Sequence, residues 1–194
     1  TSSGDRPART RATDTAGPGG PDPAPDGPYD VLIRNGRVID GTGNPWYRAD
    51  VALSGDRIAA VGDLEGASAA DSVDATGLYV TPGFIDSHSH AGGGLETAEL
   101  SQGRPLLAQG VTTVFVNPDG GGYTDLAAQR DSLLLHGLGV NAAPLVPHGS
   151  VRAAVLGMDD RLATAGELER MKTMVRSGME EGAFGLSSGP FYPP

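Results

Sequence analysis

The sequence predicts an α/β protein in which a small β module precedes a series of parallel βα units. Residues 29–80 alternate short β-branched runs with glycine turns, which is typical of antiparallel strands. From residue 81 onward, predicted strands alternate with predicted helices, which favours a parallel sheet. Residues 1–28 contain no Val, Ile, Leu, Met, Phe, Trp or Tyr. Because nothing apolar can be buried there to offset the entropy of ordering, we expect a disordered tail rich in Pro and Gly.

In the β module, two glycine turns predict two hairpins. Asn35 and Gly36 separate two short apolar runs, and this pair tolerates the positive φ of a tight hairpin turn. Residues 54–56 separate a second pair of runs in the same way. The predicted strands are Val31–Arg34, Arg37–Asp40, Ala49–Leu53, Arg57–Val61, Ser72–Asp74 and Leu78–Val80.

In residues 81–194, four strands and three helices are predicted. The clearest helix begins at Thr164, where Thr164 and Glu167 form a capping-box pattern, and it ends at Gly182. The apolar residues at helical spacing along it are expected to pack into the core: Leu168, Met171, Val175 and Met179. The other predicted helices are 104–109 and 125–135, and the predicted strands are Phe84–His88, Val111–Asn117, Val140–Val146 and Ala183–Ser187.

Composition and charge exclude several classes of protein. The 194 residues include 24 acidic and 14 basic side chains, for a net charge of −10, which argues against nucleic-acid binding. No apolar run approaches the roughly 20 residues of a transmembrane helix, so no membrane partner is expected. With no Cys, the chain has neither a disulfide framework nor thiolate chemistry. The oligomeric state stays open, as does the compartment, either cytoplasmic or exported with a leader absent.

A histidine pair follows the first strand of the βα region. Alternation along a strand places His88 and His90 on one face, with Asp86 on the same side. Two imidazoles at the end of a strand can both reach one divalent ion at about 2.0–2.1 Å, and Asp86 is placed to orient one of them. The alternative is a pair of histidines that only make hydrogen bonds near the strand end. The spacing alone leaves both interpretations open.

Six segments of the sequence carry a family resemblance: Asp30–Gly36, Tyr79–His90, Ser101–Gly103, Gln109–Val114, Pro147–Gly149 and Gly182–Gly189. Together they resemble the amidohydrolase superfamily and, within it, the N-acyl-D-amino-acid deacylases, or D-aminoacylases. The start of the β module and the Asp-Ser-His-Ser-His motif indicate the superfamily, and the other segments favour the deacylases. The resemblance covers residues 29–194.

The resemblance implies a zinc-dependent hydrolase that cleaves the linear C–N amide bond of a small N-acyl amino acid. Its fold would be the N-terminal part of a (β/α)8 TIM-like amidohydrolase barrel, residues 81–194, preceded by a small β-sandwich module, residues 29–80. His88 and His90 match the family's first pair of ligands for one or two Zn²⁺ ions, which activate the water that attacks the amide carbonyl. The family's general base and two further histidines have no match up to residue 194. We therefore expect the chain to be a fragment that is inactive alone.

One position departs from the resembled family. The D-aminoacylases have a metal-binding Cys after the second strand, and the corresponding loop here has Asp119 and no Cys. A carboxylate ligates zinc at about 2.0–2.2 Å, and replacing sulfur by oxygen would admit other divalent ions. The alternative is that Asp119 only opens the turn formed by Gly120–Gly122, where Asp is common. Both interpretations of Asp119 stay open at this point.

Three further residues are predicted to contact the substrate. His148 follows the third strand, on the face where barrel active sites lie, and the alternative is a structural histidine in a loop. Ser188 and Tyr192 follow the fourth strand. The resemblance implies that a Tyr in this segment faces the substrate carboxylate.

Two alternatives to a deacylase stay open. One is a cyclic-amide hydrolase of the hydantoinase or dihydroorotase kind, which a carboxylated Lys on the fourth strand would favour. The chain's one lysine, Lys172, lies in a predicted helix instead. The other is a non-catalytic half-barrel that acts as a scaffold. Because the sequence stops in mid-pattern at Tyr192–Pro194, a truncated chain is favoured over a true half-barrel.

Overall fold

A computed structural model describes residues 28–193 and divides the chain into two compact units between Pro82 and Gly83. The predicted tail, residues 1–28, lies outside the described residues except for Pro28. Strands and helices occur together, so the predicted α/β class is confirmed. Within the described residues, no helix is both long and apolar enough to cross a membrane.

The first unit is a five-stranded mixed sheet. Strand order is β3-β2-β1-β4, and β5 also pairs with β1. β2 runs antiparallel to β1 and β3, whereas β4 and β5 run parallel to β1. Leu32 on β1 and Ala52 on β2 are fully buried and anchor one face of the sheet. The strands are β1 (Tyr29–Val38), β2 (Tyr47–Ser54), β3 (Arg57–Gly62), β4 (Ala69–Asp74) and β5 (Tyr79–Val80).

One of the two predicted hairpins is wrong. The second forms as expected, because β2 and β3 pair antiparallel around Gly55, whose φ is 58°. At Asn35 and Gly36, however, β1 continues, and the residues before and after them both pair with β2. Asn35 adopts the expected positive φ of 63°, but as a bulge that shifts the register rather than as a turn. Because the parts of β1 before and after these two residues pair with the same strand, β2, the chain does not fold back here.

The second unit contains the parallel strands and the helices. Its strands are β6 (Phe84–Asp86), β7 (Val111–Val116), β8 (Asn141–Pro144), β9 (Val146–Pro147) and β10 (Leu186–Ser187). Its helices are α1 (Gly92–Leu95), α2 (Arg104–Leu107), α3 (Leu126–Leu134), α4 (His148–Leu156) and α5 (Ala165–Glu180), with a 3₁₀ turn at Pro118–Gly120.

The parallel strands lie in chain order. β6, β7 and β8 form one parallel ladder, and β9 and β10 form another. Residues 141–147 link the two ladders, because the Leu145 N–H donates to Val116 O at 3.1 Å and the Val146 N–H donates to Gly185 O at 2.8 Å. The four predicted strands are therefore neighbours, and their carboxyl ends meet at one edge of the sheet.

The longest helix, α5, begins as predicted but turns a different face to the core. Thr164 and Glu167 form both bonds of the capping box. Gly178 lets the helix approach β9 closely, since a Cβ there would lie 2.7 Å from Val146 Cγ2. The face that includes Gly178 also presents Met171, Met174 and Val175 to the core. The predicted burial of Leu168 and Met179 is wrong, because they are 44% and 45% exposed.

Candidate metal centre

The predicted site residues all follow the carboxyl ends of the parallel strands. His88 and His90 come after β6, and Asp119 lies in the 3₁₀ turn after β7. Ser188 directly follows β10. His148 directly follows β9, as predicted, and is the first residue of α4, so the alternative of a structural histidine in a loop does not describe its position. This edge of a parallel sheet is where α/β proteins place their ligand sites.

The three predicted metal ligands converge on one point. Asp119 Oδ2 lies 3.3 Å from His88 Nε2 and 3.3 Å from His90 Nε2. The ligand atoms of all three residues lie within 4.8 Å of one another. Zinc bonds of about 2.0–2.1 Å place the ligands of a tetrahedral site roughly 3.3–3.4 Å apart. The two distances to Asp119 therefore match the spacing that a shared metal ion requires.

The donor types of this cluster also fit a divalent cation. Two imidazole nitrogens and one carboxylate oxygen form an accepted ligand set for zinc and for harder first-row metals. The histidine side chains are 60% and 72% exposed, and that of Asp119 is 30% exposed, so the site is open to solvent and to a substrate. An open coordination position is what separates catalytic zinc sites from closed structural ones.

The backbone after β6 explains why the two histidines face the same way. The strand ends at Asp86, so strand alternation is not the cause. The Asp86 carboxylate accepts the His88 backbone N–H at 3.1 Å, so this hydrogen bond holds the backbone of His88 rather than an imidazole. Ser89 is buried at 4% exposure, and its N–H donates to Phe115 O at 3.0 Å. The buried Ser89 thus leaves the histidine on each side of it directed outward.

A turn in left-handed backbone places the Asp119 carboxylate. Asn117 has φ 62° and Asp119 has φ 57°, a conformation that costs a non-glycine residue about 1–2 kcal/mol. Asn and Asp tolerate it better than most residues, which suits the Asn-Pro-Asp-Gly sequence. The Ser187 hydroxyl in β10 donates to the Asn117 carbonyl and accepts the Gly120 N–H at 3.1 Å. β10 thereby fixes the turn from the other side of the site.

Three glycines let three backbone segments pack together beneath Asp119. Gly120 has φ 78°, and a Cβ there would lie 3.0 Å from Gly149 N. A Cβ on Gly149 would lie 2.9 Å from Gly120 O, and one on Gly189 would lie 2.5 Å from Asp119 O. The loop after β7, the start of α4 and the segment after β10 can meet this closely only without side chains.

A cleft of about 590 Å³ opens beside the candidate ligands. His90, Asp119, His148 and Tyr192 are among the residues that line it. Ser188 Oγ lies 3.3 Å from His148 Nδ1. The predicted substrate contacts His148 and Tyr192 thus line the same cleft as the predicted ligands His90 and Asp119. Ser188 lies next to His148. Their role in substrate binding stays a prediction.

Residues 71–192 match the amidohydrolase family. The chain belongs to this family. It is 40% identical over 190 residues to a D-aminoacylase of Alcaligenes xylosoxydans xylosoxydans, an alignment that covers 86% of this chain and 39% of that protein. The D-aminoacylases are thus similar to nearly all of the described chain.

Two solved structures extend the likeness to three dimensions. One is a D-aminoacylase studied for its binuclear metal centre, with a TM-score of 0.78 and 37% identity over 86% of this chain and 40% of that chain. The other is the N-acyl-D-glutamate deacylase of Bordetella bronchiseptica in complex with zinc and a phosphonate inhibitor, with a TM-score of 0.76 and 34% identity over 87% and 40%. This amidohydrolase chain therefore spans about two fifths of the length of these relatives.

Two neighbours of the candidate ligands were not predicted from the sequence. Glu96, just after α1, accepts hydrogen bonds from Tyr123 Oη at 2.7 Å and Ser132 Oγ at 2.9 Å. The bond to Glu96 raises the pKa of Tyr123 above its usual value. Glu96 and Tyr123 also line a smaller cavity, of about 300 Å³, that includes His90. No motif marks either residue, because the hydrogen bonds that join Glu96 to Tyr123 and to Ser132 connect residues far apart in the sequence.

Proposed function

We propose that the intact protein carrying this chain is a metal-dependent hydrolase of the linear amide bond in N-acyl-D-amino acids. The observation that carries the proposal is the convergence of His88, His90 and Asp119 at the carboxyl ends of parallel strands. Membership of the amidohydrolase family and the likeness to D-aminoacylases support amide hydrolysis as the reaction at this site. A small N-acyl amino acid is the substrate in this proposal.

The same reasoning supports a specific architecture. Parallel strands in chain order with intervening helices are what the first half of a (β/α)8 barrel would contain, so we assign residues 81–194 to such a half. We assign the five-stranded mixed sheet, within residues 29–80, to a β-sandwich module.

In this proposal, His88, His90 and Asp119 hold Zn²⁺. When bound, the ion would lower the pKa of a water molecule and polarise the carbonyl of the amide. The carboxylate of Asp119 contributes a negative charge and an oxygen donor, which would also accept a harder divalent ion. The open faces of the two imidazoles leave room for water and for the substrate amide. We assign the role of general base to no residue of this chain.

The cleft supplies groups suited to the rest of the substrate. His148 and Tyr192 line it, and each offers a polar hydrogen to the carboxylate of an acyl amino acid. Ser188 hydrogen bonds with His148 and thereby limits the rotation of its ring. The cleft volume of about 590 Å³ lies within the range of small-molecule sites. Substrate recognition is therefore assigned to these three residues.

The two alternatives receive less support. A cyclic-amide hydrolase with a carboxylated lysine would need that lysine at a strand end. Lys172 instead lies in α5, half exposed, with its Nζ 2.8 Å from Glu169 Oε1. A non-catalytic scaffold would have no need for three metal-ligand side chains converging beside a cleft. The linear-amide deacylase is the function that the site geometry supports best.

The decisive experiment measures hydrolysis of N-acetyl-D-methionine by the intact, zinc-loaded protein. We expect turnover of the D-enantiomer, together with bound metal by elemental analysis. His88→Ala should lower kcat/KM by more than about 100-fold, beyond the range typical of outer-shell substitutions. His136→Ala, which removes an exposed histidine after α3, is the matched control and should retain activity. Absence of bound metal, or equal activity of His88→Ala and wild type, would refute the proposal.

Cyclic substrates provide the comparison between the two enzyme classes. A hydantoin and dihydroorotate should be hydrolysed poorly by the same preparation. If they were turned over faster than N-acetyl-D-methionine, the cyclic-amide alternative would replace the deacylase.

A further inference from the structure

A buried amide lies beneath the candidate metal centre. Gln129, on α3, is only 2% exposed, and Asn117, at the end of β7, is 7% exposed. Their side chains form a reciprocal pair, in which Asn117 Nδ2 donates to Gln129 Oε1 at 2.8 Å and Gln129 Nε2 donates to Asn117 Oδ1 at 2.9 Å. A polar side chain buried this deeply is stable only when its hydrogen bonds are made, so the pair is a fixed unit.

This unit anchors Asn117 on several sides. Asn117 Nδ2 also donates to Leu145 O at 3.0 Å, between β8 and β9. The Asn117 carbonyl accepts the Ser187 hydroxyl from β10. α3, the β8–β9 segment and β10 therefore all hold one residue, and that residue begins the turn that contains Asp119.

The loop also closes on the Asn117 side chain. A Cβ on Gly122 would lie 2.3 Å from Asn117 Oδ1, so the backbone of Gly122 passes directly against the amide. The Gly122 N–H donates to Ser150 Oγ in α4 at 3.1 Å. The segment 117–122 thus starts at Asn117 and returns to it, with Asp119 near its middle. Moving the amide would move both ends of this loop.

We propose that Gln129 is a positioning residue for the metal centre. Its two hydrogen bonds hold the Asn117 amide, which fixes the left-handed turn that brings Asp119 Oδ2 to both imidazoles. Both side-chain hydrogen bonds of Gln129 go to Asn117, so we assign it an effect on the ligands through that residue. The inference rests on the proposed function, since it concerns the metal affinity of the same site.

The test substitutes Gln129→Met in the intact protein, which keeps the length of the side chain and removes both hydrogen bonds. Affinities for Zn²⁺ and Co²⁺ are measured by competition with a chromophoric chelator, and the visible spectrum of the Co²⁺ form reports the geometry of the site. We expect metal affinity to fall by about 10- to 100-fold, as for other outer-shell substitutions, with a changed Co²⁺ spectrum. Gln129→Asn, which is shorter but keeps an amide, is a milder variant. It should lower the metal affinity and change the Co²⁺ spectrum in the same direction, by less.

Two controls separate positioning from general destabilisation. Ser101→Ala removes a buried hydroxyl, 1% exposed, whose 3.5 Å bond goes to His136 O rather than to the loop. Gln109→Met makes the same substitution at an exposed glutamine whose side-chain amide donates to Pro105 O at 2.8 Å. Both controls should retain wild-type metal affinity, even where Ser101→Ala lowers the unfolding temperature.

A double variant shows whether Gln129 acts through Asp119. In an Asp119→Ala background, Gln129→Met should cause no further loss of affinity. A full additional loss there would overturn the proposed route. Wild-type affinity and spectrum in both Gln129 variants would overturn the inference alone. A wild-type protein that binds metal no better than His88→Ala would overturn the proposed function and this inference with it.

Discussion

Two asparagines in the molecule adopt the same rare backbone conformation and serve different ends. Asn35 in the first unit has φ 63°, and Asn117 in the second has φ 62°. Asn35 is exposed within β1, and both neighbouring stretches of that strand pair with β2. Asn117 is buried where β7 ends. A left-handed asparagine therefore forms a bulge where the strand continues to pair before and after it, as at Asn35. It begins the turn that contains Asp119 where the strand ends, as at Asn117.

The partners of the two asparagines differ in the same way. The exposed Asn35 bonds to two carboxylates: its N–H donates to Asp50 at 2.8 Å, and its amide donates to Asp74 at 3.2 Å. Asn117 bonds to a buried, neutral amide, that of Gln129. Water can replace the partners of Asn35 but not those of Asn117. Loss of a buried partner leaves a polar group unpaired and costs far more.

The largest difference between the two regions should be in Zn²⁺ affinity, when the carboxylate near each asparagine is removed. Asp119→Ala removes a candidate metal ligand, so we expect Zn²⁺ affinity to fall by more than about 100-fold, more than outer-shell losses cause. Asp74→Ala removes the carboxylate beside Asn35 and should leave Zn²⁺ affinity unchanged. Chelator competition on the intact protein measures both. Equal affinities in the two variants would mean that Asp119 only opens a turn.

The second difference concerns the glycines that follow Asn117. Gly120→Ala places a Cβ at φ 78° and 3.0 Å from Gly149 N, so unfolding should become easier by about 2–4 kcal/mol. Gly121→Ala is the matched control, because Gly121 has φ −104° and open space around it. Denaturant unfolding compares the two variants. A Gly120→Ala protein as stable as Gly121→Ala would show that the three segments do not pack as closely as described.

The asparagines themselves can be exchanged for glycine, which relaxes the backbone but removes the amide. Asn117→Gly should cost about 1–3 kcal/mol, because the Gln129 amide loses its buried partner. Asn35→Gly should change stability by less than about 1 kcal/mol, since water replaces a surface hydrogen bond. The free energy of unfolding of each variant checks this. If Asn35→Gly lowered the free energy of unfolding more than Asn117→Gly, the contrast between the exposed bulge at Asn35 and the buried turn at Asn117 would be wrong.

The smallest difference is in the response to acid. Hydrogen bonds from Thr76 and then Asn35 lower the pKa of Asp74 below its usual value. A lowered pKa in the folded state means that Asp74 stabilises the protein above its unfolded pKa of about 3.9 and loses this effect as pH falls through the folded value. Asn35→Gly should weaken this acid dependence below about pH 4, whereas Asn117→Gly should not. Urea midpoints across that range measure the slopes, and identical slopes for wild type and Asn35→Gly would contradict the assignment.

Much of the fold was predictable because it follows from local pattern. The α5 cap at Thr164 and the hairpin around Gly55 depend on neighbouring residues, and the alternation of predicted strands with predicted helices indicated that the second sheet is parallel. The errors arise where tertiary contacts decide. Asn35 has the sequence of a turn, and only its pairing with β2 makes it a bulge. The outward face of α5 depends on how closely Gly178 lets the helix approach Val146.

The candidate ligands were predictable as residue types but not as a geometry. The His88–His90 spacing left a shared ion and simple hydrogen bonding both open, and strand alternation was the wrong reason for their common face, because β6 ends before them. Asp119 had two open interpretations, and its 3.3 Å distances to both imidazoles favour the ligand over the simple turn. Nothing in the sequence indicated a role for Gln129, because its partner Asn117 lies across the β7–α3 connection. Only the structure shows that the two side chains are buried and bonded to each other.

The central claim is that a single divalent ion binds His88, His90 and Asp119 together. A crystal structure of the zinc-loaded intact protein, with anomalous data collected on both sides of the zinc edge, tests it directly. We expect an anomalous peak within about 2.0–2.2 Å of His88 Nε2, His90 Nε2 and Asp119 Oδ2. A peak on the two histidines with Asp119 turned away, or no peak at this edge of the sheet, would contradict the account.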